Sequence, residues 1–258
     1  MLDRKKLLSH ITDLDEKVAL SRLCDLAEKA SHSGRVTYTD FLNPKMQAYA
    51  LDIAGFSGDI TAEFFGGYTG AERNVCSFSS FGDADNYQVS AVSIRTKNNK
   101  VYSHRDYLGS IMNLGIKREK LGDIVISDDR AIVLCKEDIA DFIVYNLLKV
   151  ASSNVICEKV ELTYLKSFER EMSSFNVSVS SLRLDAVVGA MCRKSRGESN
   201  KLIDSGRVCV NYDTVLNHSY TVKNDDVISV RGYGKSVINT DGSLTKKGRV
   251  YITVNHYV

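Results

Sequence analysis

The chain has 258 residues, more than a usual single domain of about 100–150, so two or three domains are predicted. Its hydrophobic content of 43% is ample for a packed core, but no apolar run approaches the roughly 20 residues needed to cross a membrane. The charged start lacks the apolar centre of a signal peptide, and the six cysteines are too widely spaced for a local zinc knuckle or redox pair. We therefore expect a cytoplasmic protein with reduced thiols and with neither metal nor other cofactor.

Charge is distributed unevenly along the chain. Residues 181–258 contain 12 Lys and Arg against 7 Asp and Glu, a net charge of +5, whereas residues 1–180 contain 22 against 25, a net charge of −3. The small overall charge of +2 thus combines a basic C-terminal segment with a slightly acidic remainder. A basic segment of this kind indicates an RNA partner more clearly than any catalytic function.

The first 75 residues are predicted to be mainly helical. Asn43 and Pro44 mark one helix start, the asparagine as cap and the proline at the first position. A strand over residues 60–65 then leads into a G-x-x-G at 67–70, which we interpret as a turn because a strand, not a helix, precedes it. The apolar stripe of the first helices comprises Leu7, Leu8, Ile11, Leu14, Val18, Leu20, Leu23, Leu26 and Ala27.

From Cys76 the pattern changes to mixed α/β. Residues 89–94 alternate as a strand, and short apolar runs at 124–126 and 132–134 predict two more. Helices are predicted from Tyr107 to Leu114 and over residues 137–150, the latter with Ile139, Phe142, Ile143 and Leu147 inward. This order favours a small sheet backed by helices, ferredoxin-like or RRM-like in outline.

The triplet H-R-D at 104–106 is found in kinases, but Ile111 stands where a kinase requires asparagine, and the other kinase motifs are missing. Asp106 is better interpreted as the cap of a helix that begins at Tyr107. The nearby cations predict either a second RNA-binding surface or an ordinary solvated loop. These residues are His104, Arg105, Lys117, Arg118 and Lys120.

The basic C-terminal segment has a clear local pattern. Ser180 or Ser181 is predicted to cap a helix with apolar residues Leu184, Val187, Val188 and Met191. Ser195 and Glu198 form a capping box for a second helix, which Gly206 ends with positive φ. Val208 and Val210 begin one strand, and residues 227–230 form another.

The run from Arg183 to Lys235 resembles the S4 domain, a small RNA-binding module first described in a ribosomal protein of the small subunit. The matching motifs are R-L-D at 183–185, S-R at 195–196, I-x-x-G-x-V-x-V-N at 203–211 and D-x-I-x-V at 226–230. The resemblance implies a pair of helices on a small β-sheet, with structured RNA as the target.

Some enzymes also carry this module. R-L-D surrounds the catalytic aspartate of pseudouridine synthases, but the S4-like pattern itself contains the triplet here. We therefore expect Asp185 to act structurally, at the first turn of its helix or paired to an arginine. The nucleotide-binding motifs of tyrosyl-tRNA synthetases and the glycine-rich loop of methyltransferases are missing from the sequence.

Over nearly its full length the chain resembles the bacterial YlmH family. The motifs are T-D-F-L-N-P at 39–44, G-A-E-R-N at 70–74 and the long block H-R-D-Y-L-G to L-G-D-I at 104–124. The resemblance implies an α+β protein with three parts: an N-terminal helical region (1–75), a central RNA-binding-like domain (76–165) and a C-terminal S4-like domain (180–258). Family members are associated with the large ribosomal subunit and with rescue of stalled translation.

The leading hypothesis is a non-enzymatic, monomeric binder of rRNA and tRNA on the large ribosomal subunit, with no membrane or small-molecule partner. The alternatives are an RNA-modifying enzyme with His104 and Asp106 as acid and base, or a division-associated nucleic-acid binder. The predicted RNA-binding residues are Arg183, Arg193, Lys194, Ser195, Arg196, Asn200, Lys201, Arg207 and Asn211.

Overall fold

The computed structural model describes residue 11 and residues 13–81, 84–165 and 172–257. It divides into two compact units, Met1–Phe168 and Glu169–Val258, and each is described by itself. Among the helices of these ranges, none has both the length and the apolar character of a membrane span.

The N-terminal part of the first unit is a three-stranded antiparallel sheet on which two helices pack. Asp13 caps the first helix by accepting a hydrogen bond from Glu16 N, and Asn43 caps the second by accepting from Met46 N. Pro44 takes the first helical position, as predicted. The elements are α1 (Leu14–Ser33), β1 (Thr37–Leu42), α2 (Pro44–Ser57), β2 (Thr61–Phe65) and β3 (Asn74–Ser79), with strand order β1-β3-β2.

The sequence-based expectation of a mainly helical region missed most of this sheet. The sequence of β1 does not alternate between apolar and polar residues, because two of its inward residues are Thr37 and Thr39. Both threonines are buried and form hydrogen bonds. The predicted domain boundary after residue 75 falls inside β3. Leu14 and Val18, assigned to the apolar stripe, are exposed, whereas Leu7 and Leu8 lie outside the described residues.

The central part of the first unit has the predicted ferredoxin-like topology. Its elements are β4 (Val89–Thr96), α3 (His104–Met112), β5 (Leu121–Ile126), β6 (Ala131–Lys136), α4 (Glu137–Asn146), β7 (Lys149–Val150) and β8 (Ser153–Val160). The antiparallel strand order β5-β6-β4-β8-β7 follows from a β-α-β-β-α-β sequence of elements with β7 added at one edge.

Two details of the central helices differ from the predictions. Helix α3 begins at His104, so Asp106 is not its cap but the third residue, and it completes a capping box with Ser103. Helix α4 ends at Asn146 rather than near residue 150, because the chain turns there into β7. Phe142, predicted to face inward, is exposed on α4, while its neighbour Ile143 is fully buried.

The N-terminal and central sheets meet in one apolar cluster. Phe41, Tyr68 and Val75 from the N-terminal part pack against Ile132 and Leu134 of β6. Phe41 and Leu134 lie close to the backbone of Gly122: an added Cβ there would lie 2.7 Å from Phe41 Cε1 and 2.9 Å from Leu134 Cβ. A glycine is therefore required at the start of the G-D-I motif.

Asp123, the next residue, links the same two parts through hydrogen bonds. Its carboxylate is buried and accepts bonds from Tyr68 Oη at 2.9 Å, Glu72 N at 2.7 Å and Arg73 N at 3.1 Å. Arg73 in turn donates to the carbonyl oxygens of Leu121 and Phe41. The G-A-E-R-N and G-D-I motifs therefore interact directly, although 50 residues separate Arg73 from Asp123.

The second unit is a six-stranded antiparallel sheet with two helices packed on its apolar face. Its elements are β9 (Met172–Val179), α5 (Leu184–Cys192), α6 (Arg196–Asp204), β10 (Val208–Val210), β11 (Asp213–Thr214), β12 (Asp226–Val230), β13 (Gly234–Asn239) and β14 (Val250–Tyr257). The strand order is β11-β10-β12-β13-β14-β9. Because β9 pairs with β14 over its whole length, the predicted domain start at residue 180 omits one strand.

We predict that Asp123→Ala destabilises the first unit by about 3 kcal/mol, because it removes three hydrogen bonds to a buried, charged acceptor. The free energy of unfolding can be measured by urea denaturation followed by circular dichroism. Asp141→Ala is the matched control, since that carboxylate is exposed and pairs with Lys159 at the surface. Equal stability of the two variants would contradict the role assigned to Asp123.

Candidate nucleic-acid interface

Most of the predicted cations of the second unit lie around helices α5 and α6, and we call Arg183, Arg193, Lys194, Arg196, Lys201 and Arg207 the basic edge. Arg183, and not Ser180 or Ser181, is the N-cap residue of α5. At the other end of α5, Arg193 adopts the left-handed conformation with φ 53° and turns the chain towards α6. Ser195 and Glu198 form the predicted capping box, and Gly206 follows α6 with φ 66°.

Two arginines of the basic edge share one buried carboxylate. Asp185 is 1% exposed, and it accepts hydrogen bonds from Arg183 Nε at 3.1 Å and Arg183 Nη2 at 3.0 Å. It also accepts from Arg196 Nε at 3.0 Å, and Arg196 Nη2 lies 2.9 Å away. The structural role predicted for Asp185, pairing with an arginine, is confirmed and extends to two of them.

The pairing also sets the charge state of Asp185. Burial disfavours the ionised form, but the hydrogen bonds from Arg183 and Arg196 outweigh it and lower the pKa of Asp185 below its usual value. Arg196 remains 68% exposed while bonded to this carboxylate. Its guanidinium is therefore held in a fixed orientation and still open to an anion from solvent.

The other helix cations differ in how strongly they are held. Arg193 and Lys201 are exposed. Lys194 forms an ion pair with Glu198, 3.2 Å from Nζ to Oε1. Hydrogen bonds from the Ser195 backbone, the Ser195 hydroxyl and Lys194 lower the pKa of Glu198 to about 2, so this carboxylate stays charged while it caps α6.

Arg207 and Asn211 form hydrogen bonds within the fold, whereas Asn200 is partly buried. Arg207 Nη2 donates to the carbonyl oxygen of Arg231 at 2.6 Å. Asn211 Oδ1 accepts from Val227 N, and its Nδ2 donates to Asp226, so Asn211 fastens the turn after β10 to β12. The Oδ1 of Asn200 is buried and without a hydrogen-bond partner among the described residues. These contacts assign Asn211 to positioning the strands of the module.

A small cavity opens beside the basic edge, between α6 and the hairpin that joins β12 to β13. It has a volume of about 210 Å³. Sequence reasoning missed Tyr233, because nothing in the order of residues shows that the R-G-Y-G hairpin at 231–234 folds against α6. The lining residues are Lys194, Glu198, Lys201, Leu202, Ser205, Arg207 and Tyr233.

The second predicted surface, in the central part of the first unit, is not a single cluster. His104 and Arg105 begin α3, whereas Lys117 comes after the other end of this helix, whose 9 residues span about 13 Å. Arg118 donates to the carbonyl oxygens of Leu121 and Gly122, and burial lowers its pKa to about 10.

Lys120, the last member of that set, is also held internally. Its Nζ lies 3.1 Å from Asp40 Oδ1 and 3.0 Å from Asp138 Oδ2. Arg118 and Lys120 therefore stabilise the first unit, which leaves His104, Arg105 and Lys117 as the solvent-facing residues of the predicted set.

We predict that the ion pairs of Asp185 make the stability of the second unit depend on acid pH. A lowered folded-state pKa stabilises the fold above the unfolded value of about 3.9, and this contribution is lost as the pH falls through the folded pKa. In urea denaturation across a pH series, Asp185→Asn should be less stable than wild type at neutral pH, and the difference should shrink in acid. Asp213→Asn, at an exposed carboxylate of β11, serves as control; a difference for Asp185→Asn that does not change with pH would contradict the assignment.

Three family models match the chain in succession. The model described as "YlmH, N-terminal" matches residues 15–79, "Putative RNA-binding domain in YlmH" matches residues 83–164, and "S4 domain" matches residues 182–228. The S4 match contains both helices of the basic edge and confirms the resemblance inferred from the motifs.

The chain is similar to known proteins in sequence and in fold. It is 34% identical over 223 residues to the ribosome-associated protein quality control protein P2 of Bacillus subtilis (strain 168), a match that covers 85% of this chain and 86% of that protein. A solved structure titled cell division protein ylmH from Streptococcus pneumoniae has a similar fold, with a TM-score of 0.51 at 20% identity over 61% of this chain and 98% of that one. The matched motifs, the family models and the Bacillus relative together show that the chain belongs to the YlmH family.

Proposed function

We propose that this protein binds structured RNA of the ribosome through its basic edge and acts in ribosome-associated quality control of stalled translation, without catalysing a reaction. The observation that carries the proposal is the buried Asp185 carboxylate, which holds Arg183 and Arg196 side by side at the surface of an S4 domain. The name of the Bacillus relative, a ribosome-associated quality control protein, supports the cellular role.

The physical basis of binding is phosphate recognition. Guanidinium and ammonium groups contact phosphate oxygens with charge-assisted hydrogen bonds, and each contact releases counterions from the RNA. Arg193 and Lys201 are exposed, and Arg196 is exposed while its orientation is fixed. RNA helices are recognised mainly by shape and backbone, so this set of residues favours structured RNA with little dependence on sequence.

The specific partners we propose are rRNA and tRNA on the large ribosomal subunit. The family resemblance is the support for this assignment, since quality control after subunit splitting involves peptidyl-tRNA on that subunit. The basic edge offers cations at both ends of α6 and is suited to RNA backbones that run beside one another.

The competing enzymatic hypothesis required His104 and Asp106 as an acid and base pair. Asp106 Oδ2 accepts hydrogen bonds from Ser103 N at 3.1 Å and Ser103 Oγ at 2.7 Å, so this carboxylate is engaged in the helix cap. In the part of the chain that the structure describes, no three His, Cys, Asp or Glu side chains are grouped to hold a metal ion. The engagement of Asp106 in the helix cap favours a binding function over an RNA-modifying one.

Co-sedimentation with isolated ribosomal particles tests the proposal. Purified protein should pellet with large subunits, more strongly when tRNA is present, and should be released as salt is raised because phosphate contacts are screened. Small subunits are the control particle. Equal binding to both subunits, or a preference for duplex DNA over structured RNA, would contradict the proposed role and favour the division-associated alternative.

We also predict that the salt dependence of RNA binding follows the exposed cations. If about five phosphates are neutralised, the logarithm of the affinity should fall with the logarithm of salt concentration with a slope of about −4. Replacing Arg193 and Lys201 together by alanine should make the slope shallower by about 2, as measured by fluorescence anisotropy with a hairpin RNA.

The matched control for that variant is Lys246→Ala with Lys247→Ala. These exposed lysines lie in the loop after β13, at the opposite end of that strand from Tyr233, and their loss changes the net charge by the same amount. If both double variants change the slope equally, binding depends on net charge alone and the basic edge is not the RNA site.

A further inference from the structure

The cavity beside the basic edge contains an aromatic ring, which phosphate recognition does not require. Its hairpin wall carries Tyr233, which is 37% exposed, and its helix wall carries Lys194, Lys201 and Leu202 of the α5–α6 region. Arg207 lines the same cavity from the start of β10. An exposed aromatic ring among three cations differs from the remainder of the basic edge, where the contacts are purely polar.

The hairpin that carries Tyr233 is held in place by two reciprocal hydrogen bonds. Arg231 N donates to the carbonyl oxygen of Arg207 at 2.8 Å, and Arg207 Nη2 donates to the carbonyl oxygen of Arg231 at 2.6 Å. Gly232, the next residue of the hairpin, has φ 94°, and an added Cβ there would lie 3.0 Å from Arg207 Nη2. These contacts set the position of the hairpin backbone at Tyr233, whose side chain lines the cavity.

The charge balance of the cavity favours an anionic ligand. Lys194, Lys201 and Arg207 line it together with one carboxylate, Glu198. That carboxylate is engaged by Ser195 N, Ser195 Oγ and Lys194 Nζ. Its negative charge is thus largely compensated by the hydrogen bonds of the helix cap, whereas Lys201 is exposed to solvent.

The volume limits the ligand to one small group. About 210 Å³ is smaller than the roughly 300–1,000 Å³ of pockets for drug-sized ligands. The convex side of a continuous duplex can reach only the rim of such a concavity. An unstacked base from a bulge or loop can enter it, stack on an aromatic ring and leave its phosphates at the cationic rim.

From this geometry we propose that the cavity between α6 and the β12–β13 hairpin binds one unstacked base of the RNA, with Tyr233 as the stacking platform and Lys194, Lys201 and Arg207 around its phosphates. The proposal rests on the proposed RNA-binding function and adds the class of RNA: a structured RNA with an extruded base beside a helix. Tyr233 is then the residue by which the protein distinguishes such a site from uniform duplex.

The test measures the affinity of the full-length protein for two hairpin RNAs that differ only by a single bulged purine. Wild type is expected to bind the bulged RNA about tenfold more tightly, which corresponds to about 1.4 kcal/mol and lies within the range of base stacking on aromatic side chains. Tyr233→Ala should remove this preference and leave the affinity for the plain hairpin unchanged. Tyr233→Phe should retain the preference, because the ring remains.

Tyr251→Ala is the matched control, since Tyr251 is an exposed tyrosine (48%) of the same unit on β14 and does not line the cavity. The thermal midpoint of each variant reports whether the fold is intact. If wild type binds both RNAs equally, or Tyr233→Ala weakens both equally, the base site is overturned while salt-dependent RNA binding stands. If wild type binds neither RNA, the base site and the proposed function are both overturned.

Discussion

The functional arrangement of this protein depends on one buried carboxylate. Asp185 is removed from water, and a buried charge is stable only when it is paired and hydrogen-bonded. Arg183, the N-cap residue of α5, and Arg196, the first residue of α6, both donate hydrogen bonds to it. The same pairing links α5 to α6 and orients two guanidinium groups, so the fold and the proposed RNA surface depend on the same interaction.

The first unit uses a buried carboxylate for a different purpose. Asp123 accepts hydrogen bonds from two backbone N–H groups and the Tyr68 hydroxyl, and these bonds join the N-terminal part to the central sheet. One buried carboxylate thus forms a joint within the fold, at Asp123, and the other orients two arginines of the proposed recognition surface, at Asp185.

The central domain shows how packing can change the use of a familiar topology. RRM domains stack bases on aromatic residues of their sheet face. Here Ile132 and Leu134 on that face of β6 pack against Phe41 and Tyr68 of the N-terminal part. The region has the ferredoxin-like topology, but this part of its sheet is buried against the N-terminal part and is not open to RNA bases.

The sequence by itself determined the elements whose signals are local. The Ser195–Glu198 capping box, the Asn43–Pro44 helix start and the strand at Val208 and Val210 depend on neighbouring residues, and each formed as predicted. The S4 motifs placed the basic edge for the same reason, since they lie within about fifty consecutive residues. Strand β1 was missed because its inward threonines are buried through long-range hydrogen bonds and leave no apolar alternation.

Only the tertiary structure decided which of the predicted cations are available to a ligand. Arg118 and Lys120 are indistinguishable from Lys117 in sequence, yet both bond to groups within the first unit. Tyr233 joins the candidate site because a hairpin, far along the chain from α6, is fastened to Arg207. Both outcomes depend on contacts between residues distant in sequence, and such contacts exist only once the chain has packed.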